Sequence, residues 1–78
     1  MTDEEKELFR LLATGLVLFG VDKEDALIIM GMFYGKPDEV EALMAWMADH
    51  PKATPDDISN QVVKMLNEKT KSHSNLGQ

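Results

Sequence analysis

Ala26-Leu27-Ile28-Ile29-Met30-Gly31-Met32-Phe33-Tyr34 is the stretch on which the reading of this chain turns. Eight of its nine residues are apolar or aromatic, so a helix wound from it has no polar face. Such a helix has to be covered on several sides, by its own chain or by a partner. A strand is the competing reading, but Met30, Gly31 and Met32 are poor strand formers. The flanking signals favour a helix: Asp22 is placed to cap its start and Gly35 to stop it.

Working outward, the segments on either side read as amphipathic helices. Thr2-Asp3-Glu4-Glu5 has capping-box spacing, with acids at the positive end of the helix dipole. Leu8, Leu12, Leu16 and Phe19 follow at helical spacing, and Phe9, Leu11, Val17 and Leu18 widen the apolar face. Gly20 suits a left-handed stop after which Val21 folds back onto Leu16. Val21 and Ala26 flank the Asp22 cap as a hydrophobic staple. Beyond Gly35, Pro37 fits the first turn of a third helix, and Val40, Leu43, Met44 and Met47 repeat at i, i+3, i+4, i+7. Pro51 ends that helix near Asp49 or His50. Thr54-Pro55-Asp56-Asp57 opens a fourth, whose stripe is Ile58, Val62, Met65 and Leu66.

The sequence thus predicts an all-α protein: one domain of four helices over about 3–19, 23–34, 37–49 and 55–69. Residues 70–78 are expected as a loose, flexible C-terminal tail. Short connections predict a compact four-helix bundle or orthogonal array with the apolar second helix at its centre. The 78 residues and the absence of cysteine imply a thin core with no disulfide or thiolate metal site to support it. Small chains without such supports often gain stability by oligomerising.

Charge narrows the partners. Fourteen acids against eight bases give a net charge of −6, opposite to the basic patch that nucleic acids or anionic lipids need. The second helix, Gly35-Lys36-Pro37 and the third helix have the order of a helix-turn-helix, whose second helix enters the major groove. Residues 36–50 carry four carboxylates against one lysine, a net of −3. Phosphate would repel that face, and only Lys64, Lys69 and Lys71 further on offer it any attraction. Residues 11–21 and 26–34 are both too short to span a bilayer, and Asp22-Lys23-Glu24-Asp25 keeps them apart. The acidic N-terminus lacks the basic start of a secretory signal, so the expected location is the cytoplasm.

Residues fit for chemistry are sparse. His50 and His73 are the only histidines, and neither has a recognisable orienting partner in sequence. His50 reads as a helix-end residue, and Asp56 and Asp57 as helix-start acids. Ser59, Ser72 and Ser74 lack a nucleophile's context, and no glycine-rich phosphate loop is present. Asp22-Lys23-Glu24-Asp25 is not a calcium loop, because its sixth position is Leu27 rather than glycine. No catalytic, cofactor-binding or metal-ligating residue is therefore expected, nor any small-molecule substrate. Gly31 and Gly35 have small-xxx-small spacing, and Gly31 is expected to let a neighbouring helix of the same chain pack closely.

Methionine fills irregular gaps in cores and is also favoured at adaptable binding surfaces. Met30, Phe33, Tyr34, Trp46 and Met47 are the candidate interface, on the premise that three short helices cannot hide every side of helix two. The expected role is a non-catalytic protein–protein interaction module, with homodimerisation through helix two or three as its specific form. A helix-turn-helix-like transcriptional regulator is the alternative, and an enzyme a distant third.

Val21-Asp22-Lys23-Glu24-Asp25-Ala26 as a helix start, with Asp49-His50-Pro51-Lys52-Ala53-Thr54-Pro55-Asp56-Asp57 linking the later helices, resembles a pattern in small uncharacterised all-helical proteins of Gram-positive bacteria. The resemblance spans residues 21–66. It implies a helical fold and a bacterial origin, and it carries no activity.

Overall fold

In the computed structural model, which describes residues 2–76, four helices follow one another: α1 (Asp3–Leu18), α2 (Lys23–Met32), α3 (Pro37–Asp49) and α4 (Pro55–Leu76). No strand occurs among the described residues, and the protein is an all-α array.

The helix boundaries follow the local chemistry closely. The Glu5 amide donates to Thr2 Oγ1 at 3.1 Å, and the Thr2 hydroxyl donates to the Glu5 carboxylate. At the start of α4 the box is fully reciprocal: the Asp57 amide donates to Thr54 Oγ1 and the Thr54 amide to Asp57 Oδ2. At the end of α1 the Val21 amide donates to the Leu16 carbonyl and the Gly20 amide to Val17. That pair of bonds is a Schellman ending, and it requires the left-handed φ of +90° that Gly20 adopts. Asp22 occupies the cap position of α2, but its side chain makes no capping hydrogen bond. Pro37 starts α3 without any side-chain cap. Helix α4 continues to Leu76, past the tail expected from Thr70, because no proline or glycine intervenes before Gly77. Among the residues of α4 whose side chains are described, the buried ones, Ile58 and Val62, lie in its first turns.

Helix α1, not α2, is the hub. It packs on α2 and α3, while α4 leans against α3. The α1–α2 connection makes an antiparallel pair, which brings the Phe9 ring edge-on to Tyr34 with centroids 6.0 Å apart. Helices α1 and α3 run side by side in the same direction. Leu8 and Phe9 border the same small hollow as Pro37 and Val40, a Cβ on Gly15 would meet the end of Met47, and Gly20 lies beside Pro55. The core collects Leu12 and Leu16 from α1, Ala26, Ile29 and Phe33 from the α2 segment, Val40, Leu43 and Met47 from α3, and Ile58 and Val62 from α4. Val21, the staple residue, is buried with them. No polar or charged residue is buried among the described residues, so packing of apolar side chains carries the whole core.

The expectation of a central α2 is therefore corrected. Ala26 and Ile29 are the only buried residues within the helix proper, while Leu27, Ile28 and Met32 face solvent. The reason is geometric. A ten-residue helix is about 15 Å long, and its neighbours reach one side of it. Helix α1 is longer, 16 residues against 10, so it has the length to take a neighbour on each side.

Candidate functional site

Two apolar surfaces stand out. The first is the outer face of α2. At 100° per residue, Leu27, Gly31, Ile28 and Met32 fall on one arc opposite Ala26, Ile29 and Phe33. Leu27 is 59% exposed and Ile28 56%. Gly31 sits in the middle of this arc, and a Cβ built on it would meet nothing within 4 Å. The expected close packing of Gly31 against a helix of its own chain is thus absent. Across a shallow groove of about 170 Å³, the face continues onto α4 through Ser59, Val62 and the exposed Val63.

The second surface is a groove of about 330 Å³ between α1 and α3. Leu11, Leu12, Gly15 and Phe19 form one wall, and Met44, Met47, Ala48 and Pro51 the other. The spacing i, i+4, i+8 on α1 matches i, i+4 on α3 because the two helices run parallel. Gly15 opens the floor: its missing side chain leaves room where Met47 ends, 3.3 Å from a notional Cβ. In volume the groove is at the small end of ligand pockets, which usually add a few convergent polar groups to fix a ligand's orientation. Here all eight lining residues are apolar.

The five residues proposed from sequence separate on folding. Phe33 is 0% exposed and Met47 4%, so both belong to the core; Phe33 offers no surface to a partner, and Met47 shows only its edge, in the wall of the α1/α3 groove. Met30 and Trp46 are partly buried against that core. Tyr34 alone is well exposed, at 66%. Trp46 stacks on His50 with centroids 4.3 Å apart, and His50 Nδ1 lies 2.8 Å from the Trp46 carbonyl. That arrangement places the imidazole at the end of α3, bonded within its own helix. The residues that do line apolar surface were hidden by the one-sided covering of α2. Leu27, Ile28 and Met32 have the same character as the buried Ile29, and only the choice of neighbours distinguishes them.

Among the described residues, electrostatics add a single perturbed pair. Arg10 hydrogen-bonds and ion-pairs with Glu7 on the surface of α1. The hydrogen bond from Arg10 holds the Glu7 carboxyl below its ordinary value, and the Glu7 carboxylate raises Arg10. The outward residues of α3 include Asp38, Glu41 and Asp49, with no lysine or arginine between Pro37 and Asp49. Among the described residues, no group of three or more histidines and carboxylates is disposed to hold a metal. No helix of the described residues is long and apolar enough to cross a membrane.

No family model matches this chain, and no curated protein or solved structure is similar to it.

Proposed function

We propose that this protein is a small non-catalytic helical module that acts by binding protein, and that the outer face of α2 receives a second copy of the chain. The observation that carries the reading is the contiguous arc of Leu27, Ile28 and Met32, continued by Val63 and centred on a glycine with no intrachain neighbour. Burying each of the larger side chains is worth about 1.5–3 kcal/mol, so an unpartnered arc of them is a driving force for association. Gly31 adds geometry, since a glycine at a crossing point lets two helix backbones approach closely. An antiparallel α2–α2 pairing about a twofold axis at Gly31 buries Leu27, Ile28 and Met32 of each copy against the other copy and opposes the two helix dipoles. With the flanking part of α4, such a contact has to bury about 800 Å² per partner to be stable.

Light scattering across a hundredfold concentration range tests this. The native chain is expected to double its mass as concentration rises. Leu27→Glu is expected to stay monomeric with an unchanged helical circular dichroism spectrum, because Leu27 is outside the core. A native chain that stays monomeric throughout overturns the self-association reading.

A further inference from the structure

The parallel arrangement of α1 and α3 has an electrostatic result at one end of their shared groove. Both N-termini lie at that end, and each is acidic for its own helix-start reasons. Asp3, Glu4, Glu5 and Glu7 from α1 stand there with Asp38, Glu39 and Glu41 from α3, against Lys6, Arg10 and Lys36. The excess of four negative charges outweighs the roughly half positive charge that each helix dipole contributes. Helical spacing also ties these acids to the groove itself. Glu4 and Glu7 extend the Leu11–Gly15 stripe backwards by whole turns, and Glu41 extends the Met44–Ala48 stripe in the same way. Glu4, Glu7 and Glu41 are all exposed, and Glu7 is paired with Arg10. At the other end the groove closes on Phe19 and Pro51, with Lys52 following.

We propose that the α1/α3 groove binds an amphipathic helix of a partner protein, with lysine or arginine at the end that lies over the N-termini of α1 and α3. Three observations select this occupant. The lining from Leu11 to Phe19 spans about 12 Å, which suits two turns of a helix laid along it and its i, i+3, i+4, i+7 anchors. Met44 and Met47 on one wall can repack around anchors of different shape. The acidic end attracts cations and repels an acidic helix. The face of α2 carries Glu24 and Asp25 and is therefore a poor occupant, so the groove and the self-association surface are distinct. A small polar ligand fits badly for want of any polar side chain in the lining.

The test uses three fluorescein-labelled synthetic peptides of about 16 residues, a helical length of roughly 24 Å, read by fluorescence anisotropy. The first carries leucine at i, i+3, i+4, i+7 with lysine elsewhere, the second replaces lysine by glutamate, and the third scrambles the first. The lysine peptide is expected to bind at least about tenfold more tightly than the other two, a difference of roughly 1.4 kcal/mol. Ala48→Phe fills the groove mouth from an exposed position and should abolish binding. Glu4→Lys with Glu41→Lys should weaken it by about tenfold while leaving the groove walls intact, and added salt should act in the same direction. Equal binding of all three peptides, binding of none, or indifference to Ala48→Phe would each overturn the proposal. So would a dimer of the native chain that Ala48→Phe converts to monomer, because a second copy would then be the occupant.

Discussion

Gly31 shows how much a single residue's meaning depends on its surroundings. A glycine inside a helix costs about 1 kcal/mol relative to alanine, through backbone entropy. Its φ here is not in the left-handed region, and nothing lies where a Cβ would go. Gly31→Ala should therefore stabilise the isolated chain by about 0.5–1 kcal/mol in urea unfolding at low concentration. At high concentration the same substitution should weaken self-association, since the added methyl holds two α2 backbones apart. Stabilisation without any loss of association would place the dimer contact elsewhere. Phe33 and Tyr34 make the complementary point. They are adjacent and both aromatic, yet one is the largest fully buried side chain and the other is open to solvent. Both lie in the turn that follows α2, and only the placement of α1 determines which of them is inside.

At the scale of the element, most of the structure was legible. The caps at Thr2 and Thr54, the Schellman ending at Gly20, the proline start of α3 and the core stripe of Val40, Leu43 and Met47 all follow from local grammar. These signals are readable because each depends on residues within four positions of one another. The Thr54 box is the clearest case, with both reciprocal bonds made. Thr54→Ala removes the acceptor for the Asp57 amide and should cost about 1 kcal/mol, seen as a lowered urea midpoint with an unchanged slope. The sequence reading ends α4 too early, because polarity alone marks residues from Thr70 as a tail. Polarity argues against burial, whereas ending a helix needs a breaker such as proline or glycine, and none precedes Gly77.

For the whole molecule, the consequence of an α1-centred array is two separate apolar surfaces on different faces. The outer face of α2 and the α1/α3 groove share no residue. Substitutions at distant, independent sites add, so the two roles should separate cleanly. Leu27→Glu should abolish self-association and leave lysine-peptide binding unchanged in anisotropy, while Ala48→Phe should do the reverse. Loss of both activities in either variant would indicate a single shared surface. The sequence by itself determined the helical class, every helix end but the last to within two residues, and the composition of the core stripes, all of which are short-range properties of the chain. It also determined the acidity of both the α1 and α3 N-termini. Only the tertiary structure decided that α1 rather than α2 is the hub, that Phe33 and Met47 are inside, and that the two acidic helix starts meet at one end of an apolar groove. The physical reason is that an apolar residue records a need to be covered without recording what covers it, and with four short helices the available neighbours run out before every such residue is satisfied.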